Sequence, residues 1–202
     1  MSKPMNFVMI SPHFPTNFET FAVRLRESGF NTLGIADTPY EQLSEGLRNS
    51  LTEYYRVDNM EDYEQVYRAV GYFAHKYGRI DRVESHNEYW LELDAKLRTD
   101  FNVFGYKNED MLAIKTKAQM KEVFRKAGLK VAKGRVFKDD EDARKLAKEL
   151  NFPVIIKPNS GVGASDTYKI KSADELEAFF GYKNAHVEYI MEEFIEGDIV
   201  TF

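Results

Sequence analysis

Apolar and polar positions along the first half of the chain alternate between two periods. Phe7 to Ser11 and Asn31 to Ala36 are short, nearly continuous apolar runs, the pattern of strands buried on both faces. Between them, Asn17 to Ser28 carries Phe18, Phe21, Ala22 and Leu25 at helical spacing, and Gly29 follows as a stop signal. The breaker Asp37-Thr38-Pro39 closes the second run. A weaker strand is expected at Tyr54 to Val57, a long helix at Glu61 to Tyr77 ending on Gly78, a strand at Arg79 to Glu84, and a helix at Glu88 to Thr99. Strands that alternate with helices across short turns imply right-handed crossovers and a parallel sheet covered on both faces. Tyr54, Tyr55, Tyr63, Tyr67, Tyr72 and Phe73 fall at core spacing and are read as packing.

The rhythm changes near Gly105-Tyr106-Lys107. Helices are expected at Asn108 to Met111 and at Thr116 to Lys126, the second with a buried stripe of Met120, Val123, Phe124 and Ala127. A strand at Gly134 to Phe137, a helix at Asp140 to Leu150, strands at Val154 to Lys157 and Thr167 to Ile170, a helix at Ala173 to Phe180 and a strand at Val187 to Met191 follow. This second half reads as a small α+β unit with a mainly antiparallel sheet. The expected domains are residues 1–107 and 108–202.

Composition narrows the function classes. The 202 residues are 43% hydrophobic and 30% charged, an ordinary globular balance. A formal charge of −5 argues against a protein that binds nucleic acid by neutralising phosphates. With no cysteine, the chain has neither disulfides nor thiolate chemistry. No apolar run approaches the roughly 18 residues of a membrane helix, and a cytoplasmic location is expected.

Three segments carry candidate chemistry. Phe152 to Ser165 delivers Lys157 at the end of an apolar strand and follows it with Pro158 and the small residues Ser160, Gly161, Gly163, Ala164 and Ser165. One ammonium beside a loop of bare N–H groups suits a nucleotide's phosphates. Lys117 stands in the first turn of a helix, where a cation opposes the helix dipole unless an anion is near; Lys115 and Lys121 lie close by. Met191 to Gly197 reads as a strand end whose backbone can meet an adenine edge, with Phe194 and Ile195 as apolar walls. Taken singly, each has a bland alternative: a solvated strand-end lysine, a basic helix face, an acidic strand end.

In this order the segments resemble the ATP-grasp superfamily of ligases, nearest to carboxylate–amine ligases and carbamoyl-phosphate-synthase-like enzymes. The resemblance covers roughly residues 105–202 and implies that Lys117 and Lys157 contact phosphates and that Ser160, Gly161, Gly163, Ala164 and Ser165 form a flap over them. It also implies that Glu192 meets the adenine amino group or a neighbouring polar atom, while Glu193 and Ile195 offer backbone groups to the adenine edge beside Phe194. The fold implied is α/β: a Rossmann-like parallel-sheet pre-ATP-grasp domain, then a small α+β ATP-grasp subdomain, truncated before the C-terminal ATP-grasp subdomain. The expected cofactors are ATP and Mg2+, the metal ligands lying beyond residue 202, with none expected here. The parent would activate a carboxylate as an acylphosphate for attack by an amine, and this chain alone would not turn over. The expected partners are ATP and the carboxylate and amine substrates, without nucleic acid or membrane; a homodimer is compatible.

Two departures from the family pattern stand out. Many members place a ribose-binding acid where this chain has Ile199, and Asp198 substitutes only with a one-residue shift. The flap lacks the glycine run of biotin carboxylases. Rival readings are a nucleotide-binding subunit of a split carbamoyl-phosphate-synthase-like enzyme, docking through an apolar edge at Val200 to Phe202, and a non-catalytic α/β binding module. A Rossmann dehydrogenase is disfavoured because the turn Ser11 to Asn17 contains no glycine. In the first half, His13, His86, Asn87 and Glu88 follow strand ends, where open α/β sheets bind ligands, although Asn87 or Ser85 equally serves as a helix cap. Glu92 and Asp94 are expected to be solvated.

Overall fold

The computed structural model describes residues 3–161, 166–198 and 200. The chain divides into two compact units, residues 1–111 and 112–202.

The first unit is built on β1 (Asn6–Ile10), α1 (Glu19–Glu27), β2 (Asn31–Ala36), α2 (Glu45–Ser50), β3 (Glu53–Arg56), α3 (Tyr63–Tyr77), β4 (Arg82–Glu84) and α4 (Leu91–Asp100). Its four strands are parallel in the order β3-β2-β1-β4, with Val8 paired to Leu33 and to Val83. Alternation along β1 and β2 sends Val8, Ile10, Leu33 and Ile35 to one face, where Val66, Val70 and Phe73 of α3 and Leu97 of α4 cover them. Met9 faces the other way, into a cluster with Ala22, Leu43, Leu47 and Leu51. Burying a residue such as Phe73 stabilises the unit by roughly 2–3 kcal/mol. α3 begins at Asp62, whose carboxylate accepts from the N–H of Glu64, and ends at Gly78 with φ +92°.

Several local expectations are corrected here. α2 and a 3-10 turn at Tyr40–Gln42 occupy a stretch in which no element was expected. Ser44 caps α2 by accepting from the N–H of Leu47. β4 is three residues long rather than six. In α1, Ala22 is buried but Phe21 is 47% exposed, because the short helix offers the sheet a narrow contact. Tyr67 and Tyr72 are likewise exposed, at 39% and 40%, rather than core. Asp94 is 1% exposed instead of solvated; it accepts hydrogen bonds from the N–H and hydroxyl of Ser85 at 3.1 and 2.6 Å. Asn87 does cap the next turn, accepting from the N–H of Tyr89 at 2.9 Å.

The second unit contains α5 (Met111–Lys115), which begins at the division, then α6 (Lys117–Lys126), β5 (Gly134–Val136), α7 (Asp140–Leu150), β6 (Val154–Pro158), β7 (Tyr168–Ile170), α8 (Ala173–Tyr182) and β8 (Tyr189–Glu193). The strands form an antiparallel sheet in the order β5-β8-β6-β7. Val154, Ile156, Tyr189 and Met191 point into a core closed by Ala143, Leu146 and Ala147 of α7 and by Leu176 and Phe179 of α8. By alternation, Ile155, Lys157, Ile190 and Glu192 therefore share the opposite face. That face carries the candidate site.

α6 is turned differently from the expected stripe. Val123 and Phe124 are 48% and 39% exposed and Ala127 is exposed, whereas Lys121 is 8% exposed. The reason is electrostatic. A carboxylate buried on the sheet, Glu192, demands a cation, and Lys121 supplies it.

Candidate functional site

Lys157 and Glu192 lie diagonally on neighbouring strands, since Lys157 pairs with Ile190 and Ile155 with Glu192. The Lys157 ammonium is 2.7 Å from one Glu192 carboxylate oxygen, and the Lys121 ammonium contacts the other. Glu192 is 6% exposed. Burial pushes its carboxyl upward, but hydrogen bonds from Lys121 and Lys157 outweigh burial and hold it below the ordinary carboxylate range. Burial lowers Lys121, and its contact with Glu192 offsets only part of that. The group is one carboxylate clamped between two lysine side chains.

The N-terminus of α6 is stitched to the loop after β6 by Asn159, itself 5% exposed. The Asn159 carbonyl accepts from the N–H of Lys117 at 2.8 Å, and its side-chain oxygen accepts from the N–H of Ala118 at 2.9 Å. Two first-turn donors that a helix cannot satisfy internally are thereby paired. Asn159 also donates its side-chain amide to Glu188, and Thr116 forms an antiparallel bridge with Ser160. The Lys117 ammonium reaches the Gly161 carbonyl at 3.4 Å. Lys117, Ser160 and Gly161 are thus brought together at the start of the expected flap. Gly163, Ala164 and Ser165 lie outside the described residues.

The segment after β8 separates its members. The N–H of Glu193 donates to the Lys133 carbonyl at 2.9 Å, and the Glu193 carboxylate accepts from the N–H of Lys133 at 2.7 Å. Glu193 and Ile195 line a cavity of about 480 Å³ together with Leu129, Val131 and Ala132. Phe194 does not join them: the Lys169 ammonium lies 3.4 Å from its ring centroid. Asp198 is described and Ile199 is not. Val200 is 73% exposed, and the rest of the expected apolar edge is outside the described residues.

Lys121 entered the sequence reading only as a member of the basic cluster beside Lys117, whereas the anion it meets is Glu192. Asn159 was missed. Asn159 had no distinguishing signal beyond its place after Lys157-Pro158.

Residues 116–197 match the sequence profile of the carbamoyl-phosphate synthase L chain ATP-binding domain. That stretch is thus similar to a nucleotide-binding domain of a known synthase family. The carbamoyl phosphate synthase large chain of Neisseria meningitidis serogroup B is 25% identical over 162 residues, 78% of this chain and 14% of that protein. The fold is that of solved ligase and carboxylase structures. An L-amino acid ligase from Bacillus licheniformis superposes with a TM-score of 0.66 at 18% identity, over 98% of this chain and 46% of that one. The biotin carboxylase domain of Hydrogenobacter thermophilus 2-oxoglutarate carboxylase, solved with MgADP, ADP and bicarbonate, gives 0.72 at 20% identity, over 96% and 45%. The chain thus spans about half the length of these structures and a seventh of the synthase.

In the first unit, the strand ends hold His13 and His86. The His13 Nε2 lies 3.0 Å from the Thr38 hydroxyl, and the His86 ring stacks on Phe21 at 4.4 Å between centroids. Burial lowers both imidazoles against weaker opposing pulls from Asp37 and Glu84. Glu88 is exposed and opens the 3-10 turn Glu88–Trp90. No helix among the described residues is long and apolar enough to cross a membrane.

Proposed function

We propose that this chain binds ATP as part of an ATP-grasp ligase that activates a carboxylate as an acylphosphate for attack by an amine. The observation that carries the reading is the Lys157–Glu192–Lys121 clamp, set on the sheet face opposite the core and beside the first turn of α6. Phosphates arriving at the end of β6 would compete with Glu192 for Lys157. Lys121 would keep the carboxylate paired while Lys157 turned to the α- and β-phosphates. Lys117 and the N–H groups from Ser160 onward would meet the same phosphates, and the flap would exclude water.

The cavity beside Glu193 and Ile195 has the apolar walls an adenine ring needs, and the chain after Glu193 has backbone groups to offer its edge. The residues present fit the nucleotide's base and phosphates. Among the described residues no group of three or more His, Asp or Glu could hold a metal ion by itself. Magnesium, where bound, would neutralise charge developing on the transferred phosphoryl group.

Calorimetric titration of the 202-residue chain with ATP tests the reading. Lys157→Ala should weaken binding by about tenfold or more, the worth of one charge-assisted contact, and leave the melting temperature close to wild type. Equal affinity in the two proteins would remove Lys157 from the site. Loss of the fold would make it a structural residue instead.

A further inference from the structure

The largest concavity described in the first unit has no part in the nucleotide reading. It lies beside β4 and the loop that follows α4, with a volume of about 900 Å³. That is ample for a small molecule, for which pockets run to roughly 300–1,000 Å³. Its floor is Arg98, 4% exposed. The Arg98 guanidinium makes four hydrogen bonds, donating to the Val83 carbonyl at 3.0 and 2.8 Å, the Tyr106 carbonyl at 3.2 Å and the Glu84 carboxylate at 2.7 Å. The loop crosses it at Gly105, with φ +132°, where a Cβ would fall 2.9 Å from the Arg98 side chain.

Held down in this way, the loop presents two aromatic residues outward. Phe104 is 74% exposed and Tyr106 63%. The Arg82 guanidinium carbon sits 4.8 Å from the Phe104 ring centroid, a cation–π contact that leaves most of the ring open to solvent. Arg82 gives one N–H to the Asp81 carbonyl at 2.7 Å. The Arg79 guanidinium, also on the lining, has no hydrogen-bond or ion-pair partner among the described residues.

The carboxylates on the wall are already engaged. Glu84 is bound to Arg98, and Asp110 accepts from the N–H of Lys107 at 2.8 Å. Neither the Arg79 nor the Arg82 guanidinium makes an ion pair among the described residues, on a chain whose formal charge is −5. Guanidinium forks bind carboxylate and phosphate oxygens in pairs, and open aromatic rings beside them accept a flat partner.

We propose that this cavity binds a small anion carrying a planar ring, of the aryl phosphate or aryl carboxylate class. Its anionic oxygens rest on Arg79 and Arg82 and its ring lies against Phe104 and Tyr106. The inference does not depend on the ATP reading, since every residue it uses precedes the nucleotide-binding segment.

Phenyl phosphate is the probe, titrated into the 202-residue chain and followed by amide NMR, with inorganic phosphate in a parallel arm. Saturable shifts at Phe104, Gly105 and Tyr106 are expected, weakened about tenfold by Arg79→Gln or Arg82→Gln, the loss of one charge-assisted contact. Lys157→Ala should leave this binding unchanged, separating it from the nucleotide site. Inorganic phosphate should bind more weakly than phenyl phosphate. Absence of saturable shifts, affinity indifferent to both arginine variants, or equal binding of inorganic phosphate would overturn the proposal. Arg79 is exposed and its side chain unpartnered among the described residues, so Arg79→Gln keeps the test independent of folding.

Discussion

Glu192 receives two ammonium groups from different elements, and the two lysines are not equivalent. Lys157 is 26% exposed at its side chain and reaches the strand end, while Lys121 is 10% exposed and closes the carboxylate from above. Lys121→Met should therefore destabilise the second unit by roughly 2 kcal/mol, below the full cost of breaking a buried pair because Lys157 remains. It should also weaken ATP binding, since Lys157 would then be the only cation holding Glu192. Denaturation and calorimetry of one variant check both effects. Unchanged stability would mean that Lys121 is dispensable to the clamp.

Asp94 offers a pH test in the first unit. Burial, opposed in part by Ser85 and Arg98, raises its carboxyl from 3.8 to about 6. A folded-state value above the unfolded one means that the contribution is fully present below the unfolded value and is lost as pH rises through the folded one. Stability reported by Trp90, the only tryptophan, should thus fall between about pH 4 and 6, by up to about 3 kcal/mol for a shift of this size. Asp94→Asn should flatten that slope. A wild-type stability curve flat across this window would contradict the assignment.

β5 and β8 approach most closely at Gly134, which pairs with Glu192 and has φ +149°. A Cβ there would stand 2.2 Å from the Met191 carbonyl oxygen and 2.7 Å from the Glu192 Cα. Gly134→Ala should cost about 3 kcal/mol or more through strain and displaced strands, and should lower ATP affinity by moving Glu192. Urea denaturation and calorimetry measure both; wild-type behaviour would mean that the strands can separate freely. The elements themselves were largely legible. Val154 to Lys157 and Asp140 to Leu150 stood out because their periodicity and end signals agree, and both formed as expected. α2 was not, since Glu45–Ser50 is six residues long and shows less than two turns of periodicity. The face of α6 was misread because its hydrophobic spacing points one way and the pairing of Glu192 the other. Periodicity registers apolar area but not the cost of an unpaired buried carboxylate, and here the second decided the orientation.

Across the whole chain, the two candidate sites fall in different compact units. The family match falls within the second, at residues 116–197, and the ring-and-arginine cavity within the first. The motif Lys157-Pro-Asn-Ser-Gly161 and the strand ending in Glu192-Glu193 each have a bland reading singly, and only their order along the chain marks them as candidate chemistry. The Arg79, Arg82 and Phe104 cluster was not, because these residues come from separate segments and only folding assembles them.

ATP titration followed by amide NMR on the intact chain is the most direct test of the central claim, that Lys117, Lys157 and the segment from Glu192 to Ile195 surround one nucleotide. The account predicts saturable shifts concentrated at residues 117–118, 157–161 and 192–195, with the midpoint moved about tenfold or more to higher ATP in Lys157→Ala. Shifts confined to the first unit, or none at all, would contradict it.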